Sequence, residues 1–322
     1  MRKYSIIIPI FNRPEELDEL LESLTLQIYD NFEVIVIEDG SILKCEGVVQ
    51  KYKNRLEIYY YFKENQGQGF ARNLGFEKAK GDYFIQFDSD AIIPKNYFET
   101  VEESLNKEYL DAFGGPDAAH ESFSPTQKAI NYAMTSFFTT GGTRGKSKNL
   151  GGQYHPRSFN FGLSRKVWET IGGYTLTRMG EDIEFSLRII AAGFKVKIIE
   201  KAFIYHKRRT NLIQFYKQLF FFGRARINIF RFFPNELKLV HLFPFFFMLF
   251  IYSLLIQILI SKSLFYLSSC LIGLYFTIIL IDSSLKNKSF WVGILSIPSS
   301  FIQLFAYGMG FTKEMIFKKF NI

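Results

Sequence analysis

Two carboxylates, Asp88 and Asp90, stand one residue apart at the end of the run Tyr83-Phe84-Ile85-Gln86-Phe87. Like charges this close are costly to gather unless a cation sits between them. Hard divalent cations take oxygen ligands, and Mg²⁺ commonly uses one or two carboxylates together with substrate phosphates. Asp88-Ser89-Asp90 therefore points to a metal site that holds a nucleoside diphosphate. The competing reading is a solvated turn closed by Asx hydrogen bonds. An EF-hand is excluded, because Ile92 and Ile93 stand where that loop needs oxygen ligands and glycine. A second acidic pair, Glu181-Asp182, opens a stretch in which Ile183, Leu187 and Ile190 share one helix face. The acids then sit at the positive end of that helix, either to work there or simply to cap it. His206 is followed by Lys207, Arg208 and Arg209, a cluster suited to phosphates, although a lone His is usually structural.

The elements that must position these groups follow from periodicity. Tyr4 to Ile10 and Phe32 to Ile37 are short and apolar on both faces, as in parallel strands covered on both sides. Tyr83 to Phe87 is aromatic and β-branched between turn signals, which predicts a strand ending at Asp88. Further strands are expected over Leu56 to Tyr61 and Phe194 to Ala202. Pro14 with Glu15 and Glu16 marks a helix start, and Leu17, Leu20, Leu21 and Leu24 repeat at helical spacing. Alternating strands and helices imply an α/β fold with a mainly parallel central sheet. Ligands bind such sheets beyond the carboxyl ends of the strands, where Asp39, the loop Gly67-Gln68-Gly69 and Asp88/Asp90 would meet.

Two better-known phosphate loops are set aside. Gly67-Gln68-Gly69 has Arg72 where the dinucleotide fingerprint needs its third glycine, and Gly145-Lys146-Ser147 has Thr140 where a P-loop needs its first. Thr139 to Gly152 reads as an exposed Gly- and Lys/Arg-rich loop, or as a flap over an anionic substrate.

Charge divides the chain of 322 residues. From 211 onward there are 11 Lys and Arg against 3 Asp and Glu, which accounts for the whole net charge of +8. The basic excess thus lies in the apolar part, a pattern that fits an anionic membrane surface better than nucleic acid. Leu212 to Phe233 mixes aromatics with Lys217, Arg224, Arg226 and Arg231, as in a helix lying among lipid headgroups, or one packed on the domain. Leu239 to Ile260 and Leu264 to Ile281 are long enough to cross a bilayer; Phe290 to Phe311 is a weaker third run containing Pro298 and Gln303. With the N-terminal domain in the cytoplasm, two crossings put Lys286 and Lys288 inside, as the positive-inside rule asks, whereas a third would put Lys313, Lys318 and Lys319 outside. The third segment is therefore expected to be re-entrant or interfacial. Cys45 and Cys270 form no pair or metal spacing, which fits a reducing compartment. No signal peptide is expected, since the apolar run after Met1-Arg2-Lys3 is short and broken at Pro9.

In this order, Ser5-Ile6-Ile7-Ile8-Pro9, Glu38-Asp39-Gly40-Ser41, Gly69 to Gly75 with Ala71-Arg72-Asn73, Asp88-Ser89-Asp90 and Gly180-Glu181-Asp182 together resemble the family-2 glycosyltransferases of the GT-A fold, of the bacterial membrane-attached kind. The resemblance covers about Tyr4 to Arg209. It implies a Rossmann-like GT-A domain over 1–210, an interfacial helix or linker over 211–238 and a membrane region over 239–322 with two or three hydrophobic helices. It also implies an inverting, metal-dependent transfer from a nucleotide-sugar, with UDP expected, to a cell-envelope glycan or lipid-linked acceptor. The protein would be multi-pass in the cytoplasmic membrane, with membrane lipids as partners and no nucleic acid. Pro9, Phe11 and Asn12 would line the uracil and ribose pocket. Asp39 would bind the base; the family usually has Asp at both acidic positions of that motif, and here the first is Glu38. Gly69, Arg72 and Asn73 would belong to the donor site, with Arg72 on the pyrophosphate or orienting the nearby acids. Asp88 and Ser89 would lie near the ribose. Asp90, with Asp88 and His206, would bind Mn²⁺ or Mg²⁺. Asp182 would be the general base, and Trp168 and Glu181 would shape the acceptor side. Two rivals remain: a polyprenyl-phosphate glycosyltransferase, whose phosphate acceptor needs no strong base, and a non-catalytic membrane scaffold with a degenerate nucleotide-sugar fold.

Overall fold

The computed structural model describes residues 1–142 and 153–317; the basic loop expected over Thr139 to Gly152 lies, from 143 on, outside them. The described residues form two compact units, one of 1–120 with 153–207 and one of 121–142 with 208–317. The segment 121–142 thus groups with the apolar C-terminal helices, a non-local association.

In the first unit, β1 (Tyr4–Ile10), α1 (Pro14–Thr25), β2 (Phe32–Asp39), α2 (Glu46–Tyr52), β3 (Ile58–Lys63), α3 (Gln68–Lys78) and β4 (Tyr83–Phe87) alternate as expected. Then come β5 (Ala91–Ile92), α4 (Tyr97–Lys107), β6 (Ala112–Gly114) and β7 (Asp117–Ala118). The second unit contributes α5 (Pro125–Thr135) and α6 (Phe137–Thr140) before the chain returns as β8 (Asn160–Ser164), α7 (Arg165–Ile171), α8 (Glu181–Ala191), β9 (Val196–Ile198) and β10 (Ile204–His206). The main sheet has the order β3-β2-β1-β4-β8-β6-β9, and β5-β10-β7 form a small second sheet. Within the main sheet, pairing is parallel except along β8, which runs antiparallel to β4 and β6.

The doubly apolar strands are explained by cover on both faces. Leu17, Leu20 and Val49 of α1 and α2, with Phe98 of α4, pack on one face. Ala71 and Phe76 of α3, Val167 of α7 and Phe185 of α8 pack on the other. The third strand begins later than expected because the Leu56 amide still bonds the Tyr52 carbonyl at 2.9 Å, closing the turn after α2. The strand expected over Phe194 to Ala202 is shorter, and Tyr205-His206, read as a cluster after it, lies within β10.

The second unit is helical, with α9 (Leu212–Phe232), α10 (Leu239–Ile260), α11 (Lys262–Asn287) and α12 (Phe290–Phe317). By length and composition α10, α11 and α12 could each cross a membrane. α12 runs closely against α9. Gly310 is required there, since a Cβ would strike the Phe220 carbonyl. Glu314, 2% exposed, accepts from Arg224 Nε at 2.8 Å and from Arg231 Nη1 at 3.4 Å.

Candidate active site

Parallel register brings the carboxyl ends of β1, β2 and β4 to one edge. Ile10 pairs with Glu38, Ile7 with Gln86, and Asp39 with Lys63. Asn12 leaves β1 with φ 55°, a left-handed conformation that Asn tolerates. Its Oδ1 accepts from the amides of Ile42 (2.7 Å) and Leu43 (3.0 Å), and its own amide donates to Ser41 Oγ at 2.9 Å. The loops after β1 and β2 are thereby laced together, and the next residue, Arg13, is aimed at the end of β4.

Oxygens of Asp88 and Asp90 and a ring nitrogen of His206 lie within 4.8 Å of one another. His206 reaches the acids because β10 pairs antiparallel with β5, placing His206 opposite Ala91, the residue after Asp90. Its Nε2 is 2.9 Å from Asp90 Oδ1, and Phe159 stacks on the ring at 5.0 Å. On the parallel neighbour β7, Asp117 sets Oδ2 3.7 Å from Nδ1. Arg13 Nη1 donates to Asp90 Oδ2 at 3.0 Å. Two carboxylates and an imidazole converging at this spacing fit a divalent cation. The nitrogen donor suits Mn²⁺ better than Mg²⁺, which prefers an oxygen shell.

The second acidic pair is tied to the first through Arg72. That side chain is 0% exposed. Its Nη2 donates to Asp88 Oδ1 at 2.6 Å, Nη1 stands 4.0 Å from Glu181 Oε1, and the guanidinium lies 5.6 Å from the Tyr174 ring centre. Nε and Nη1 have no hydrogen-bond acceptor among the described residues. Of the two roles left open for Arg72, this burial fits orienting the acids. Glu181 is 4% exposed and accepts from Gln68 Nε2. Burial, reinforced by the neighbouring Asp182 charge and opposed by Arg72, pushes Glu181 up to about 7. Asp182 is half-buried, with Oδ1 on the Ile183 amide at 2.8 Å and Oδ2 3.8 Å from Arg157 Nη1.

Other expected site residues divide by what their side chains already hold. Asp39 accepts from Lys63 Nζ and the Gln66 amide at 3.0 Å and from the Gly67 amide at 2.9 Å, which ties β2 to the loop before α3. Glu38 is 0% exposed and accepts from the Cys45 amide at 3.1 Å and from the Tyr60 hydroxyl, inside the fold. Asn73 pins Tyr174 by both its N–H (2.7 Å) and its carbonyl (2.9 Å). Gly69 lets α3 approach the 176–177 backbone, where a Cβ would strike the Leu176 carbonyl. Pro9 and buried Ser89 lie at the strand ends, and Phe11 is 46% exposed just beyond β1. Trp168 is not brought to the acids. Its ring packs edge-on against Phe84 at 5.9 Å, and Phe84 is opposite Ser5, at the other end of the strands. Asp88 lies four residues along the strand from Phe84, about 13 Å. Arg13 and Gln68 read in the sequence as a helix-cap candidate and a loop residue, and Asp117 carries no signal there; none is expected at the site. For Arg13 the available signal is its place three residues past the end of β1, just before α1; Asp117 has none, because only the short β7–β10 pairing brings it in.

Several comparisons can be set beside this geometry. The family model of Glycosyl transferase family 2 matches residues 5–172. An uncharacterized glycosyltransferase of Rickettsia bellii is 40% identical over 97 residues, 30% of this chain and 14% of that protein. Glycosyltransferase GlyG of Streptococcus pneumoniae is 31% identical over 115 residues, 34% of this chain and 38% of that protein. The matches thus span well under half of these relatives' lengths. Among solved structures, the mannosyltransferase PcManGT of Pyrobaculum calidifontis, in complex with GDP-Man and Mn²⁺, is similar with a TM-score of 0.70 at 14% identity, covering 98% of this chain and 88% of that one. TarS 1-349 of S. aureus in complex with UDP-GlcNAc is similar at TM-score 0.50 and 19% identity, covering 70% of this chain and 67% of that one. At these identities the likeness shows the fold, an α/β GT-A-like domain with a mostly parallel sheet.

The raised Glu181 gives a stability test. Its folded value of about 7 exceeds an ordinary 4.5, so the native state holds the proton more tightly than the unfolded chain does. The stabilisation from this group is complete below pH 4.5 and is lost as pH rises through 7. Glu181→Gln should therefore match the parent near pH 5 and exceed it at pH 8 by on the order of 2 kcal/mol. Denaturant unfolding at the two pH values checks this; a variant equally less stable at both contradicts the placement.

Proposed function

The chain belongs to glycosyl transferase family 2, and on that footing we propose that it moves a sugar from a UDP-sugar, with inversion at the anomeric carbon, to a cell-envelope glycan or lipid-linked acceptor at the membrane. One observation carries this reading. The Asp88, Asp90 and His206 ligand atoms converge within 4.8 Å at a strand edge, while a separate acidic pair at the start of α8 is held against the same site by Arg72.

Inverting transfer is a single displacement. The incoming hydroxyl must lose a proton, and the departing nucleoside diphosphate must have its charge balanced. Asp88, Asp90 and His206 would hold the divalent cation, which when bound supplies positive charge to the leaving diphosphate. Asp182, the more exposed of the acidic pair, takes the proton of the acceptor hydroxyl on its carboxylate. Glu181, held near neutrality and hydrogen-bonded by Gln68, keeps α8 in place beside Arg72. Asp39 fixes the loop on which the base rests and keeps lone-pair capacity for a base N–H. Replacing Asp182 by Asn should lower donor turnover to an alcohol acceptor in membranes by at least about 100-fold while leaving Mn²⁺-dependent UDP binding intact. Retained turnover would favour a phosphate acceptor, which needs no base. UDP binding by the parent that is indifferent to Mn²⁺ would favour a scaffold.

The catalytic unit is placed in the cytoplasm, with α10 and α11 crossing the bilayer and Lys286 and Lys288 returning to the cytoplasmic side. The C-terminal half of α12 lies alongside α9, with Gly310 at Phe220 and Glu314 between Arg224 and Arg231. A buried ion triad belongs near the headgroups, not beyond a full crossing. Pro298, which interrupts the helical ladder, separates this half from the half that meets α11 through Ser283 and Ser296. A cysteine introduced at Met315 should be labelled by impermeant reagents only from the cytoplasmic side in oriented vesicles; labelling from the opposite face contradicts this topology.

A further inference from the structure

Both side-chain oxygens of Asp90 are engaged, Oδ1 by His206 Nε2 at 2.9 Å and Oδ2 by Arg13 Nη1 at 3.0 Å. A cation taking Asp90 together with Asp88 and His206 brings its positive charge against a guanidinium already paired with the same carboxylate. The two arginines on this cluster differ in whether they can yield. Arg72 is fully buried and also faces Tyr174 and Glu181. The Arg13 side chain is 34% exposed, and Asp90 is its one side-chain partner among the described residues. Its backbone is fixed, because the Arg13 carbonyl accepts from the Leu17 amide at 3.1 Å at the start of α1. Only the long side chain is left to swing. Leaving Asp90, the anion suited to its planar fork is the diphosphate that the cation would bring to the same edge.

Resting on the metal-site reading above, we propose that Arg13 couples metal to nucleotide: it competes with the divalent cation for Asp90 and, once displaced, binds the nucleotide's diphosphate. Metal alone must then displace a guanidinium, whereas metal with nucleotide gives that guanidinium a new partner. Each ligand therefore strengthens binding of the other, and by linkage the factor is the same in both directions. The cation is not held as an always-loaded structural ion; the donor and the metal arrive and leave together. A residue that merely supported the fold would weaken both ligands when removed. Arg13 instead affects them in opposite directions.

The full-length protein in detergent is titrated with Mn²⁺, free metal being followed by its electron paramagnetic resonance, with and without saturating UDP. Without UDP, Arg13→Gln should bind Mn²⁺ on the order of fivefold tighter than the parent. With Mn²⁺ saturating, the same variant should bind UDP more weakly, and the tightening of Mn²⁺ by UDP seen in the parent should shrink. Arg13→Lys, which keeps a competing cation, should bind Mn²⁺ within about twofold of the parent. Lys207→Gln is the charge control. It removes one positive charge nearby, but its ammonium is held by Glu19, so the Mn²⁺ affinity should shift less than about twofold. Unchanged or weaker Mn²⁺ binding in Arg13→Gln overturns the proposal, as does a Lys207→Gln shift of the same size, or an Arg13→Lys variant as tight as Arg13→Gln. If the parent and Arg13→Gln both bind no Mn²⁺, the metal-site reading falls and this inference falls with it. If both bind it equally, only the role of Arg13 falls.

Discussion

Negative charge concentrated at one strand edge is the constraint on which the first unit depends. Asp39, Asp88, Asp90, Glu181 and Asp182 come from three stretches of chain, and each is answered by a cation or, for Glu181, by burial that raises its hold on a proton. Arg72 is central because it faces both acidic pairs from a site with no solvent. Burying a guanidinium is expensive, and removing one partner of such a pair costs roughly 3–5 kcal/mol because the other is left unbalanced. Much of the local sequence serves that placement. Gly69 brings the start of α3 against the 176–177 backbone, and Asn73 clamps Tyr174, whose ring faces the guanidinium and whose hydroxyl donates to Gln86 of β4 at 2.6 Å. The motif Ala71-Arg72-Asn73 thus brackets the end of β4, the start of α8 and Tyr174.

How far this could be read from the sequence depends on the range of the interaction. The strands β1, β2 and β4 and the helices α1 and α8 follow from local periodicity, whereas α4, α5, β6 and β8 are not read there; Asp88 and Asp90 follow from their spacing, since both lie at one strand end. Short strands are different. β5, β7 and β10 have two or three residues each, too few for any period to appear, yet their pairing carries His206 and Asp117 to Asp90. Polar residues inside a motif posed the opposite difficulty. Glu38 and Asn73 look like ligand contacts in one dimension, but their bonds run to Cys45, Tyr60 and Tyr174. Trp168 likewise joins the aromatic core at Phe84. Nothing in their types distinguishes an acid or amide facing a ligand from one closing a loop.

The second unit repeats the lesson in another solvent. Apolar length identifies α10 and α11, and the basic, aromatic run identifies α9. The relation of α9 to α12 is set by side chains ninety residues apart, among them Arg224 and Glu314. It gives a protein neighbour to a helix that composition alone would assign to lipid. Tyr132 of α5 also bonds Asp282 of α11 at 2.7 Å, so a segment interrupting the α/β order is held by the apolar helices. An insertion can therefore join a different unit from the one its neighbours in sequence build.

The most direct measurement is anomalous diffraction at the manganese edge from crystals of the protein grown with MnCl₂ and UDP. A single strong peak is expected among Asp88, Asp90 and His206, about 2.0–2.3 Å from its oxygen and nitrogen ligands, with the UDP diphosphate on the same ion. A peak elsewhere, or UDP bound at this edge with no manganese among those three side chains, would contradict the claim that the strand edge gathers its acids to hold a cation and a nucleotide together.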